Sequence, residues 1–132
     1  MHKIPIQIRF SDIDRLGHIN NSIYNQYLDV ARLDYMNKTI AKLTDWDNKT
    51  IVLVHVACDF LQPTFMTDTI FVTTKITKIG NRSITMSQEI IDNQDNVKVK
   101  SISILSTLDV ANNISFPVPE EWRKVIEEFE SK

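Results

Sequence analysis

The most informative stretch of this chain for chemistry is eleven consecutive residues: Ser11-Asp12-Ile13-Asp14-Arg15-Leu16-Gly17-His18-Ile19-Asn20-Asn21. They include two acids, a histidine, one of only two glycines and an Asn-Asn pair. A carboxylate held in a tight loop can serve as a general base or as a nucleophile. A helix that starts directly after the loop adds unpaired N–H groups, and these stabilise an anion developing in front of them. The blander reading is also open at each position. Asp14 can be a loop acid that closes an Asx-turn, Asn20 and Asn21 can be helix caps, and Gly17 can serve a left-handed or close-packed backbone.

The flanking elements must position this loop. Before it, Ile4, Ile6, Ile8 and Phe10 alternate with polar residues or Pro5, which predicts a strand with one buried face. Pro5 places that strand at a sheet edge or a strand start. After the loop, Tyr24, Tyr27, Leu28, Ala31 and Tyr35 recur at helical spacing, with Ile23 and Met36 beside them. Asn20, Asn21 or Ser22 can cap this helix, and Asn37 and Lys38 suit its end. Thr39–Lys49 leaves open whether Ile40, Leu43 and Trp46 form a second short helix.

From Ile51 the pattern becomes strands. Ile51–Leu61 is nearly continuous apolar and stops at Gln62-Pro63. Thr69–Ile79 and Ser83–Asp92 flank Gly80-Asn81, a tight-hairpin signal. Asn93–Asn96 is a second turn, and Val97–Leu108 is the last strand. Its apolar phase shifts between Val99 and Ile102, which predicts a bulge near Lys100-Ser101. Pro117 and Pro119 precede a C-terminal helix carrying Trp122, Ile126 and Phe129, with Pro119 in its first turn. The order is strand, loop, long helix, four strands in antiparallel succession, short helix: an α+β class. One helix cannot cover both faces of a five-stranded sheet. The sheet is therefore expected to curl around the helix, and a second copy to bury an edge or exposed face.

Composition narrows the function classes. Charge is nearly balanced, with Lys+Arg 15 against Asp+Glu 17 and a net −2. No basic block marks a nucleic-acid partner. Hydrophobic content of 42% argues against disorder. A lone cysteine, Cys58, cannot form an internal disulfide and fits a reducing compartment. It is expected to be a buried, inert thiol. The N-terminus lacks a basic head followed by an apolar stretch. The longest apolar run, Ile51–Cys58, is broken by His55 and is too short to span a bilayer. A single cytoplasmic domain over residues 1–132 is the expectation.

Asp12-x-Asp14-x-x-Gly17-His18-x-Asn20-Asn21-x-x-Tyr24, with Asp29-x-x-Arg32 further on, resembles the signature of the hotdog-fold acyl-CoA thioesterases of the 4-hydroxybenzoyl-CoA thioesterase type. Asp59-Phe60-Leu61-Gln62-Pro63 and Asp68-Thr69-Ile70 are similar to that family's second and third strands, although Thr67 stands where many relatives have Gly. The resemblance covers about residues 4 to 109 and implies a hotdog fold: an antiparallel five-stranded sheet curled around one long central helix. It implies hydrolysis of acyl-CoA to a free acid and coenzyme A. Asp14 would be the catalytic carboxylate, attacking directly or activating water, and the backbone amide of Asn21 the oxyanion donor. His18 and Asn20 would support them, and Tyr24 and Gly17 would meet the substrate. No cofactor or metal is implied.

Other readings stay beside these. His18 can be an acid–base group, a thioester contact or a loop histidine bonded for shape. Asp12 reads as structural, Tyr24 as packing with its hydroxyl near a cleft, and Arg32 with Asp29 as an intrahelical pair. Lys75, Lys78, Arg82, Lys98 and Lys100 are phosphate candidates by charge alone, against a reading as solvated lysines and arginine on strands and hairpins. Acyl carrier protein remains an alternative carrier, and homodimer or homotetramer are both open. A non-catalytic acyl-CoA-binding module and a hotdog hydratase or dehydratase are the rival functions.

Overall fold

The computed structural model describes residues 1–132. Five strands and two α-helices follow in chain order: β1 His2–Ile6, α1 Asn21–Lys38, β2 Lys49–Phe60, β3 Ile70–Ile79, β4 Ser83–Asp92, β5 Val97–Asp109 and α2 Glu120–Glu130. Between Thr39 and Lys49 there is only a one-turn 3-10 helix, Ala41–Leu43. The strands form one antiparallel sheet in the order β1-β3-β4-β5-β2. This corrects the expected antiparallel succession. β2 does not pair with β3, which follows it, but lies against β5 at the far edge. The 61–69 connection crosses the end of the sheet to reach β3, and Thr64 O accepts Ile19 N–H there at 2.8 Å.

α1 forms where the apolar spacing predicted it. Tyr24, Tyr27, Leu28, Ala31, Tyr35 and Met36 are buried. Asn20 is the N-cap, its side chain accepting Ser22 N–H at 3.1 Å. This satisfies one of the helix's unpaired donors. Two apolar clusters fill the space between helix and sheet. One joins Tyr35, Met36 and Ile40 to Ile76, Ile84, Met86, Leu105 and α2 residues Trp122 and Ile126. The other joins Tyr24, Tyr27, Leu28 and Ala31 to Ile19, Ile70, Val72, Ile90 and Val99. A buried polar band separates them: Gln88 Nε2 donates to Leu28 O at 3.0 Å and to Thr74 Oγ1 at 3.1 Å, and Arg32 donates to Gln88. Arg32 also pairs with Asp29, as its spacing predicted.

That band explains the phase shift in β5. Ser101 and Ser103 are buried while Ile102 is 46% exposed on the opposite face. The irregularity is therefore polar residues facing inward, not a bulge at Lys100-Ser101. The actual bulge lies at Lys98, where Ile90 faces Val99 and Ile91 faces Val97.

Three further expectations change. β1 ends at Ile6, and Phe10 is 87% exposed rather than buried. The phase breaks because Asp12 binds the Arg9 backbone and side chain, winding Phe10–Asp12 into a 3-10 turn. Pro119 is the N-cap of α2, just outside its first turn. Cys58 is free and half-buried, at the margin of the second apolar cluster, with its Sγ 3.7 Å from Asn25 Oδ1 of α1 and 3.6 Å from Ser101 Oγ. Leu53, Val56 and Phe60 stay 43%, 38% and 46% exposed on edge strand β2, and Leu53 shares a surface groove with exposed Leu33 of α1. No helix is long and apolar enough to cross a membrane.

Candidate active site

Local bonding closes the 11–21 segment into a tight loop. Asp14 N–H donates to His18 O at 2.8 Å, and Gly17 N–H donates to Asp14 O at 3.1 Å. Asp14 Oδ1 accepts Leu16 N–H at 2.9 Å and His18 N–H at 3.3 Å. Gly17 has φ +82°, a left-handed conformation that L side chains resist. A Cβ there would meet nothing within 4 Å, so Gly17→Ala is expected to cost only the conformational penalty, about 1 kcal/mol. Urea denaturation measures it, and an unchanged midpoint would contradict a strained φ at this position.

Asp12 is the loop's anchor to the core. It is 1% exposed. Its carboxylate accepts Tyr27 OH at 2.5 Å, Arg9 N–H at 3.0 Å and Arg9 Nη2 at 3.2 Å. Its carbonyl accepts Asn20 N–H at 2.9 Å, which sets the helix N-cap. Burial pushes the Asp12 carboxyl up, but the bonds from Tyr27 and Arg9 outweigh it and hold it below the usual carboxylate range. The Tyr27 hydroxyl is pushed above its ordinary range, by burial first and then by Asp12.

A cavity of about 400 Å³ opens beside this loop, lined by Asp14, Leu16, His18, Ile19, Asn20, Asn21, Tyr24, Phe60, Leu61, Gln62 and Pro63. Asp14 and His18 are half-buried. With Oδ1 committed to the loop, Asp14 Oδ2 has no partner within the chain. The Asn21 N–H is the first of α1 and has no carbonyl to bond, as helix geometry dictates. One cavity thus brings together a carboxylate oxygen, an unpaired helix N–H and an imidazole. Tyr24 is 3% exposed and packs on Phe60 with ring centroids 5.6 Å apart.

Five of the six candidates from the sequence, Asp14, His18, Asn20, Asn21 and Tyr24, line this cavity; Gly17 does not, being exposed on the loop's outer turn. The other wall is Leu61-Gln62-Pro63, which the sequence marks as a strand end and as part of the second resembling segment but not as cavity lining. Phe65, edge-on to His18 at 4.9 Å, gave no sequence signal. The phosphate candidates scatter. Lys75, Lys78 and Arg82 lie toward the far end of β3 and β4, away from Phe60 and Ile70, and Arg82 binds Ser115 O at 2.8 Å. Lys100 is exposed. Lys98 is not a solvated strand lysine: it is buried near Asp68 and Asp92. No group of three or more His, Cys, Asp or Glu converges to hold a metal ion.

A five-stranded antiparallel sheet curled around one long helix defines a hotdog protein. Residues 8–126 match the thioesterase-like superfamily, and the chain belongs to that superfamily of thioester hydrolases. It is 22% identical over 125 residues to the long-chain acyl-CoA thioesterase FadM of Escherichia coli, covering 93% of this chain and 95% of that protein. A Thermus thermophilus thioesterase solved in complex with coenzyme A and Zn superposes with a TM-score of 0.87 at 25% identity, covering 98% of this chain and 94% of that one. A 1,4-dihydroxy-2-naphthoyl-CoA thioesterase from Synechocystis shares the fold at a TM-score of 0.85 and 16% identity, with 98% and 97% covered.

Proposed function

We propose that this chain, residues 1–132 acting as one hotdog unit, hydrolyses acyl-CoA thioesters to a free acid and coenzyme A. The observation that carries the reading is the single cavity shared by Asp14 and the unpaired Asn21 N–H. The thioester carbonyl oxygen sits against that N–H, and the carbonyl carbon faces Asp14. In the water route, Asp14 takes a proton as the water oxygen bonds to carbon. In the nucleophilic route, Asp14 itself bonds to carbon, and water later cleaves the anhydride. In both, the electron pair moves onto the carbonyl oxygen, then returns as the C–S bond breaks and the thiolate leaves to be protonated. The Asn21 donor is worth roughly 3–4 kcal/mol in the transition state. His18 and Asn20 shape the loop around Asp14. Coenzyme A belongs to the substrate, and acyl carrier protein is the alternative carrier.

Thiol release from short, medium, long and aromatic acyl-CoAs tests the reading. Release with stoichiometric free acid supports it. Ligand retained intact would make this a binding module, and hydration without thiol release a hydratase.

The working unit is a homodimer or homotetramer, because the β2 edge leaves both backbone groups and apolar side chains open. Sedimentation is expected to show no monomer at assay concentration, and Leu53→Glu is expected to shift the population toward monomer. A monomeric, fully active wild type would contradict this.

A further inference from the structure

Lys98 is 9% exposed, and lysines are rarely so buried unless paired. It occupies the β5 bulge, where its carbonyl accepts both Leu61 N–H at 2.8 Å and Gln62 N–H at 3.2 Å. Its ammonium lies 4.0 Å from Asp68 and 3.9 Å from Asp92. Asp68 in turn accepts Phe65 N–H at 2.9 Å. Both ends of the 61–68 segment are therefore tied to this one residue.

That segment is the cleft wall facing the loop. Leu61, Gln62 and Pro63 line the cavity, Thr64 O holds Ile19 N–H at 2.8 Å, and Phe65 packs edge-on against His18. Lys98 itself is not among the lining residues. We propose that Lys98 is a positioning residue: through its bulge carbonyl and its ion pair with Asp68 it fixes the 61–68 wall, and so the spacing between the docked thioester and Asp14. The proposal rests on the cleft being the reaction site. Removing the ammonium leaves Asp68 and Asp92 half-buried without their shared cation, while the backbone bonds keep the strand in place.

Three variants test it: Lys98→Met, Lys98→Arg and Asp68→Asn, assayed by thiol release well below each melting point. A wall displaced by a fraction of an ångström lowers kcat, and Lys98→Met is expected to lose about 10- to 100-fold. KM should move less than about threefold, because loss of transition-state positioning falls on kcat. Lys98→Arg restores most of the rate. Amide exchange at Ile19 provides a readout that needs no turnover, and its protection is expected to fall in Lys98→Met and return in Lys98→Arg. A folded Lys98→Met with wild-type kcat overturns the proposal, whether or not Ile19 exchange changes. If Lys98→Met fails to fold, Asp68→Asn decides the matter in the same way, since it leaves the Lys98–Asp92 pair intact. Absence of thiol release in the wild type removes the proposed function but not the Ile19 test, so the two failures are distinguishable.

Discussion

Asp14→Asn is expected to lower acyl-CoA hydrolysis by at least about a hundredfold, the low end for a positioned acid–base group, while the fold persists. Asp14 Oδ1 accepts the Leu16 and His18 amides, and an Asn side chain keeps an acceptor at that atom. What it loses is the second carboxylate oxygen, which has no partner within the chain. The loop keeps its shape and the reaction loses its base or nucleophile. Asp14→Ala removes both functions, so it is expected to match the catalytic loss and add about 1 kcal/mol of instability from two partly exposed bonds. Parallel assays and thermal melts check this. Equal activity in wild type and Asp14→Asn would reduce Asp14 to a turn residue.

The largest stability effect is expected two residues earlier. Asp12→Ala strands the Tyr27 hydroxyl and the Arg9 amide beside a buried gap. Removing one member of such a buried charged network costs about 3 kcal/mol, or roughly 10 °C in melting temperature at this chain length. The pH dependence has a fixed sign. The folded pKa of Asp12 lies below its unfolded value, so its contribution is fully present above the unfolded pKa of about 3.9. It fades as pH falls through the folded pKa. Asp34 acts in the same direction, held down chiefly by the Lys38 hydrogen bond, against burial, and further by His2. The gap between wild type and Asp12→Ala should therefore be constant near neutrality and shrink in acid. Urea melts across pH measure it, and a gap that persists unchanged below the folded pKa would contradict the assignment.

How much of this was legible in the chain depended on whether the signal was local. α1 was readable because Tyr24 through Tyr35 recur on one face, and its cap because Asn20 precedes them. The loop was readable because its acids, glycine and asparagines fall within eleven residues. The position of β2 was not, since nothing in Ile51–Leu61 says which neighbour it takes, and β5 rather than β3 became its partner. Phe10 misled because alternation continued past the point where Asp12 turns the backbone. The serines of β5 misled because polar residues facing inward toward Gln88 look, in one dimension, like a bulge. Lys98 was weighed only as a charge; its burial arises from three segments that meet only in the fold. That Leu61-Gln62-Pro63 walls the cleft was not legible for the same reason.

A crystal structure of Asp14→Asn soaked with an uncleaved acyl-CoA shows where the thioester docks. The thioester carbonyl oxygen is expected about 3 Å from the Asn21 backbone nitrogen, with the carbonyl carbon facing the side chain at position 14. A thioester bound elsewhere, or one with its carbonyl turned away from the start of α1, would contradict that geometry.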